Sequence, residues 1–455
     1  MIKNIMKKTT LLNEFKYLFL LSTPIIITQL ARMSMSAVDA IVSGHYSTND
    51  LAAVSLGSSI WFPIFVLGFG VIIMLSADVA KHRANNDTDG IKESVNNYIY
   101  AALILSVPII IFLLLAVQIL YFIGIDENVV DITKNYITAM AFGVPGLMIF
   151  NVFRSLLQGL ENTKVAMYIS IFSFLVNIPL NYIFVFGKFG VPEMGGVGAG
   201  ITTAVINTFS AVLLIVYFLK NKGYEKYRVK LSLKFSPELK NLFAIGIPSG
   251  LAIFVETIFI DVISLGIATL GPVYIAAHNI MFIMTAMVLT IGGGISSVTT
   301  VRISYLNAIK DYAATLRFSL LSLTSGVLIT FLLGIIFYLY VDSIIGLYTN
   351  DLLVIKIAIG ITLFLFIFQF IDTIHFILAG ILRGFHETKV VFYVPIFGYW
   401  VIGVPLAFTL GLTDFITEKM GLVGFWYGLV FGLLTNCITL SIILRLKFKR
   451  LLKSV

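Results

Sequence analysis

The chain has 455 residues, of which 59% are hydrophobic and 12% are charged, about half the charged fraction that is usual in soluble domains. Its mean hydropathy is +1.00, and one water-soluble core does not grow to this size. These values argue against a soluble enzyme, a disordered chain and a nucleic-acid-binding protein, and they predict a polytopic membrane protein. The single cysteine, Cys437, excludes an intramolecular disulfide and a multi-cysteine metal site.

The predicted elements are membrane-spanning helices, each of which needs about 20 apolar residues to cross the hydrocarbon core. Apolar runs between polar breaks predict about twelve such helices and therefore an all-α fold. In chain order the predicted spans are 17–43, 52–80, 94–122, 132–154, 165–187, 197–219, 241–269, 275–301, 316–340, 353–381, 390–411 and 421–444.

The basic residues fall almost entirely on one side of these spans. If the N-terminus is inside, the outer segments contain only Lys134, Lys188, Lys356 and Lys419, and only Arg32 lies in the middle of a span. Cytoplasmic loops of membrane proteins carry an excess of Lys and Arg. We therefore expect a multi-pass protein of the plasma (cell inner) membrane with both termini in the cytoplasm, and the net charge of +8 needs no nucleic acid to explain it.

The second half of the chain repeats the first about 225 positions later. Residues 242–248 resemble residues 18–24, and residues 421–424 match residues 195–198. Each half has six predicted spans, and because six is even the halves run through the membrane in the same direction. Parallel repeats predict two six-helix bundles related by a pseudo-twofold axis, with the substrate path between them.

This duplication divides the chain into an N-terminal lobe, residues 1–219, and a C-terminal lobe, residues 241–455. The Lys-rich segment 220–240 is then a cytoplasmic linker between the lobes. Its alternation of apolar and basic residues fits a segment that lies on anionic headgroups, and it fits a solvated tether equally well.

Several motifs in the first half carry a resemblance to a known family. They are Leu-Ala-Ala-Val-Ser-Leu at 51–56, Gln-Gly-Leu-Glu-Asn-Thr-Lys at 158–164, Asn-Ile-Pro-Leu-Asn-Tyr-Ile-Phe at 177–184 and Gly-Gly-Val-Gly at 195–198. In this order they resemble the multidrug and toxic compound extrusion (MATE) family, in particular its NorM-like bacterial branch. The resemblance spans nearly the whole chain. It implies two six-helix bundles around a central cleft and alternating-access export of organic cationic drugs or dyes in exchange for sodium ions or protons.

Ionisable side chains inside a membrane cost about 2.5–3.5 kcal/mol each to insert, so each is a candidate for a functional site. Glu256 lies about 21 Å along its helix from Leu242, and Asp372 lies about 16 Å from Arg383, so both are near the midplane. Two converging carboxylates could hold a sodium ion or a proton. In the resembled family, acids at these two positions are the candidates for sodium coupling. The alternative is a buried pair satisfied by hydroxyls and amides.

The first helix contributes an acid and a base. Asp39 lies in its outer part and matches the first-helix aspartate of the resembled family, which is linked to proton coupling in related branches. The alternative is a water-bonded aspartate at a helix end. Arg32 departs from the family pattern and lies about 20° from Asp39 on the helix surface. We expect Arg32 to reach Asp39, or Glu256 across the cleft, in one state of the cycle; otherwise it is a structural ion pair.

Three further residues in the C-terminal lobe are candidates for the cleft. Asp261 lies about 140° around the helix from Glu256 and either lines the cleft or pairs with another helix. Phe368 shares the face of Asp372 and could contact a flat cation through its ring. His375 lies one turn after Asp372 and either relays a proton or is a hydrogen-bonded packing residue.

Two asparagines are the candidates in the N-terminal lobe. Asn177 and Asn181 lie one turn apart on either side of Pro179, which leaves a backbone carbonyl without its helical partner. They line the cleft of this lobe or form hydrogen bonds between helices.

No catalytic Ser-His-Asp spacing, nucleotide motif or ATPase domain is visible, so we expect a monomeric transporter in the lipid bilayer that is no enzyme. Its energy then comes from an ion gradient, with no cofactor other than the coupling ion. The alternative is a lipid-linked precursor flippase of a related fold, which needs a basic cleft for a pyrophosphate group. The one mid-membrane cation, Arg32, is outnumbered by Asp39, Glu256, Asp261 and Asp372, so the charges favour cationic substrates.

Overall fold

The computed structural model describes residues 8–229 and 238–453, and these residues are almost entirely helical. Among them, eleven helices are long and apolar enough to cross a membrane. A bent pair, Glu127–Phe142 and Val144–Gly159 with 45° between its parts, raises the number of spans to twelve if it crosses as one. The prediction of an all-α protein with about twelve spans is confirmed.

Among the described residues, the first half of the chain contains nine α-helices and a short 3₁₀ helix, Lys222–Tyr227, that follows them. The α-helices are α1 (Lys8–Tyr46), α2 (Thr48–Ile72), α3 (Leu75–Ala84), α4 (Thr88–Ala116), α5 (Gln118–Ile123), α6 (Glu127–Phe142), α7 (Val144–Gly159), α8 (Lys164–Phe186) and α9 (Gly196–Lys220). Several predicted spans are thus composed of two helices that meet at a break, as α2 and α3 do.

The described part of the second half, residues 238–453, contains another nine α-helices, and a π-helical segment, Ile396–Gly403, lies between two of them. The helices are α10 (Glu238–Ala268), α11 (Pro272–Ala308), α12 (Tyr312–Leu339), α13 (Val341–Ile345), α14 (Leu352–Gly360), α15 (Thr362–Gly384), α16 (Thr388–Pro395), α17 (Val404–Leu412) and α18 (Leu422–Leu451). An apolar core of this half includes the fully buried ring of Trp426.

The described residues form two compact units, and two helices pass from one unit into the other. One unit is Thr23–Gly250, and the other contains the residues up to Ser22 together with Leu251–Val455. Helix α1 changes unit beside Pro24 and helix α10 beside Pro248. Proline has no N–H group and therefore interrupts the hydrogen-bond ladder of a helix.

The boundaries of these units differ from the predicted lobes at two short segments. The residues of α1 before Thr23 belong with the C-terminal unit, and residues 241–250 belong with the N-terminal unit. The lobes 1–219 and 241–455 and the linker 220–240 stay a prediction. Most of the alternating part of that linker lies outside the described residues.

In the N-terminal unit, the start of α10 packs closely on α2 through two glycines. A Cβ atom on Gly250 would overlap the carbonyl oxygen of Leu67, and one on Gly70 would overlap the Cα of Gly250. Small residues let the backbones of membrane helices approach in this way. The close contact explains why this part of α10 belongs to the N-terminal unit.

Candidate functional site

The C-terminal unit brings Glu256 of α10 close to Asp372 and His375 of α15. One ligand atom from each side chain lies within 4.8 Å of the others. Asp372 and His375 are each 3% exposed, and the Glu256 side chain is 16% exposed. The two carboxylates that the sequence singled out therefore converge, and an imidazole joins them.

The imidazole of His375 has no hydrogen-bond partner among the described residues at either ring nitrogen. The alternative of a hydrogen-bonded packing histidine is therefore wrong. Its Nδ1 atom lies 3.7 Å from Oε1 of Glu256, which is too far for a hydrogen bond but close enough for an ion pair if the ring is protonated. His375 thus lies beside Glu256 without a hydrogen bond to it.

The hydroxyl of Tyr399 completes this group, and the sequence analysis did not find it. It donates a hydrogen bond of 3.2 Å to Oε1 of Glu256, and its ring stacks on Phe259 with 4.4 Å between ring centroids. Tyr399 lies in the π-helical segment, and such segments often occur at functional sites. The sequence did contain one signal of an irregular helix here, namely Pro395 and Gly398, which lie four residues and one residue before Tyr399.

The donor set of this group suits a hard cation such as sodium, which binds oxygen atoms. Glu256 offers carboxylate oxygens and Tyr399 a hydroxyl oxygen. No side chain in the described part of the chain donates a hydrogen bond to Asp372, although Asp372 is buried. A buried carboxylate without a donor is costly unless a proton or a cation satisfies it. The residues therefore fit a sodium ion or a proton, and only His375 offers a ligand that sodium does not favour.

The other two candidates of this unit lie away from the carboxylates. Asp261 is exposed on the opposite side of α10 from Glu256, as the helical geometry predicted. Phe368 is 4% exposed and makes an edge-to-face contact with Trp426, with 6.2 Å between ring centroids. The ring of Phe368 belongs to the core, so its expected contact with a cationic drug is not available in this structure.

The N-terminal unit contains a second buried acid, Asp39 of α1, which is 4% exposed. Asn177 and Asn181 of α8 donate hydrogen bonds of 3.1 and 2.6 Å to its Oδ1 atom. Thr203 of α9 donates a bond of 2.7 Å to its Oδ2 atom. The alternative of a water-bonded aspartate at a helix end is therefore wrong, and both asparagines form hydrogen bonds between helices.

Arg32 makes no ion pair with Asp39 in this structure. Its Nη2 atom is 3.4 Å from Oδ1 of Asn207, and its guanidinium lies over the ring of Phe150 at 5.3 Å from the centroid. The expected approach of Arg32 to Glu256 stays a prediction.

Comparison with known proteins places the chain in a family. The MatE family model matches residues 24–183 and 248–409, and these two stretches begin at the prolines that the internal repeat aligns. The probable multidrug resistance protein NorM of Photorhabdus laumondii is 55% identical over 95% of this chain and 96% of its own length. The multidrug resistance protein NorM of Photobacterium profundum is 33% identical, with 95% of each chain covered. The chain belongs to the MatE family of membrane transporters.

The fold agrees with this assignment. The crystal structure of the eukaryotic MATE transporter AtDTX14 superposes with a TM-score of 0.89 over 98% of each chain, at 19% sequence identity. At this identity the similarity shows the fold alone. Its fold is that of MATE transporters, and its family makes it a multi-pass membrane transporter rather than an enzyme.

Proposed function

We propose that this protein exports organic cations by antiport with sodium, which binds at Glu256 and Asp372. It is a NorM-type multidrug efflux transporter by its identity to relatives that carry this name over nearly their whole length. The observation that carries the coupling proposal is the convergence of a buried and a half-buried carboxylate with a tyrosine hydroxyl in an apolar unit. The coupling ion, the cationic substrates and the monomeric state are the proposed parts.

The proposed mechanism is competition between the coupling ion and the organic cation. When sodium binds between Glu256 and Asp372, it neutralises their charge and removes the attraction for a positively charged compound. When the site releases sodium on the inside, the carboxylates regain their charge and attract the next cation. A transporter that alternates between outward and inward access therefore links the two fluxes. Asp39 is the second candidate site and would take a proton.

Efflux from proteoliposomes tests this proposal. We expect a fluorescent organic cation to be exported when an inward sodium gradient is imposed at equal pH. With a pH gradient alone, export is expected to be at least about tenfold slower, because each 1.4 kcal/mol of preference for sodium over protons changes the rate tenfold. Export with the pH gradient alone would overturn the assignment of sodium and move the coupling site to Asp39 or to a proton on the acid pair. Export with neither gradient would overturn the antiport mechanism.

We also propose that both termini lie in the cytoplasm of a bacterial cell and that the protein lies in the plasma membrane. Single cysteines test this in a Cys437→Ser background, in which serine keeps the donor that Cys437 provides to the carbonyl of Ile371. Lys419→Cys is expected to react with a membrane-impermeant maleimide in intact cells. Lys222→Cys is expected to react only after permeabilisation. Both lysines are exposed, so a reversed labelling pattern would overturn the orientation.

A further inference from the structure

The side chain of Asn436 on α18 is a buried amide without a partner. It is fully buried, and neither its Nδ2 atom nor its Oδ1 atom has a hydrogen-bond partner among the described residues. A buried amide that forms no hydrogen bond makes the folded protein less stable. Native proteins contain few such groups, and each one calls for a specific explanation. Packing alone therefore does not account for an asparagine at this position.

Asn436 lies beside the π-helical segment that holds Tyr399. A Cβ atom on Gly398 would overlap the Oδ1 atom of Asn436, so the amide approaches this segment closely because residue 398 is a glycine. Tyr399 follows Gly398, and the amide is near enough to the Tyr399 hydroxyl to act on it. The same hydroxyl donates a hydrogen bond of 3.2 Å to Oε1 of Glu256. Tyr399 therefore connects the amide of Asn436 with one carboxylate of the proposed sodium site.

The residue after Asn436 contacts the helix that carries the other carboxylate. Cys437 donates a hydrogen bond of 3.3 Å from its thiol to the carbonyl of Ile371, and Ile371 directly precedes Asp372 in α15. Helix α18 is thus in contact with α15 as well as with the π-helical segment. The turn of α18 that carries Asn436 therefore packs against both elements that supply Asp372 and Tyr399.

A tyrosine hydroxyl can act as a ligand of a cation when its hydrogen points away from the cation. The hydroxyl has one hydrogen and can accept through its lone pairs. In Tyr399 the hydrogen is directed at Glu256, which leaves the lone pairs available. An amide N–H bound to one lone pair would fix the orientation of the O–H bond and leave the other lone pair for a cation. Asn436 has N–H donors that no other group in the described part of the chain uses.

We propose that Asn436 is a positioning residue of the cation site, which holds the Tyr399 hydroxyl in place as a ligand of sodium. The amide does not touch the ion. It donates to the hydroxyl oxygen when sodium binds and fixes the direction of the hydroxyl hydrogen. Groups that orient a metal ligand in this way typically change metal affinity about 10–100-fold when they are removed. The inference rests on the proposed sodium-coupled function and adds a residue of α18 to its site.

Asn436→Leu tests this role, because leucine has nearly the shape of asparagine but no donor. The half-saturating sodium concentration is measured on the purified full chain by the fall in fluorescence anisotropy of a bound rhodamine ester, a cationic dye, with choline chloride keeping the ionic strength constant. Asn436→Leu is expected to raise this concentration about tenfold. It is also expected to raise the midpoint of thermal unfolding, because an unpaired buried amide is removed. A purely structural role would lower that midpoint.

A double-mutant cycle shows whether Asn436 acts through Tyr399. In a Tyr399→Phe background, Asn436→Leu is expected to change the half-saturating sodium concentration less than about twofold, because the hydroxyl that it positions is gone. Asn436→Ala, which is too small to overlap Gly398, is expected to give the same increase as Asn436→Leu and replaces it if the leucine variant does not fold. Thr435→Val is the matched control, since the Thr435 hydroxyl donates to the carbonyl of Phe431 within α18; it is expected to leave the concentration unchanged.

Two results would overturn the inference while the proposed function stands. A half-saturating sodium concentration that is unchanged in Asn436→Leu and Asn436→Ala would show that the amide does not support the site. An increase that persists in the Tyr399→Phe background, or that comes with a lower midpoint of thermal unfolding, would show that Asn436 has a structural role. A wild-type protein whose dye binding does not respond to sodium would overturn the proposed sodium site itself, so the two failures are distinguishable.

Discussion

Glu256→Gln and Asp372→Asn are each expected to reduce sodium-driven efflux of a cationic dye about a hundredfold. The amide keeps the size of the side chain but removes one of the two charges that hold the cation. Losing a charged ligand from a buried site costs on the order of 3 kcal/mol, and each 1.4 kcal/mol is tenfold. Initial rates in proteoliposomes with equal amounts of reconstituted protein measure the effect.

The control for these variants is Asp261→Asn. Asp261 lies on the same helix as Glu256, five residues later, and is exposed. The same chemical change is expected to reduce efflux less than about twofold, since surface changes away from special features alter stability by about 0.5 kcal/mol or less. If Glu256→Gln folds, as judged by size-exclusion chromatography, and still exports dye at the wild-type rate with sodium, then sodium does not couple at this site.

The proposed sodium site also predicts how sodium affects equilibrium binding of the dye. Addition of sodium to the wild-type protein is expected to weaken equilibrium binding of the cationic dye, because ion and dye need the same negative charge. In Asp372→Asn the dye should bind more weakly and should no longer respond to sodium. A variant that loses transport but keeps the full sodium effect on dye binding would place the coupling ion elsewhere.

The carboxylates of the C-terminal unit were predictable because an acid within an apolar run is conspicuous. Glu256 and Asp372 stand out in spans 241–269 and 353–381 for this reason, and helix rise placed both at similar depth. Tyr399 was not predictable in the same way. It lies in a π-helical segment, where the period of 3.6 residues no longer tells which face a side chain occupies.

The polar groups of the N-terminal unit show a different limit. Sequence spacing put Asn177 and Asn181 on one face of a helix but left open whether they line a cleft or bond to another helix. Their acceptor, Asp39, lies 138 and 142 positions away in the chain. A single sequence does not tell how far apart such positions lie in space. The packing of α1 on α8 is needed to decide whether the asparagines line a cleft or bond to another helix.

The predicted end of one helix differs from its end in the structure. Arg154 was assigned to the cytoplasmic segments because predicted span 132–154 ends there. In the structure α7 continues to Gly159, and the guanidinium lies over Phe69 inside the unit. Ends of predicted helices are uncertain by roughly 2–4 residues, and the five residues from Arg154 to Gly159 exceed that range.

Asp39→Asn is expected to reduce proton-driven efflux about tenfold or more and to leave any sodium-driven efflux nearly unchanged. The carboxylate accepts hydrogen bonds from Asn177, Asn181 and Thr203. A proton on Asp39 turns one acceptor into a donor, so either an asparagine partner is displaced or the Thr203 hydroxyl reverses its bond and accepts. The contacts between α1, α8 and α9 therefore respond to a proton, and asparagine cannot reproduce the charged state.

The same geometry predicts a loss of stability. The amide in Asp39→Asn offers one acceptor oxygen where the carboxylate offers two, so the partner of the replaced oxygen loses its acceptor, and a buried donor left without an acceptor costs about 1–3 kcal/mol. Thermal unfolding of the purified variant measures this cost. Asp131→Asn is the matched control, because Asp131 accepts a hydrogen bond from Tyr121 in the same unit but is exposed. A variant at Asp39 that is as stable as Asp131→Asn and keeps its response to a pH gradient would show that protons couple without Asp39.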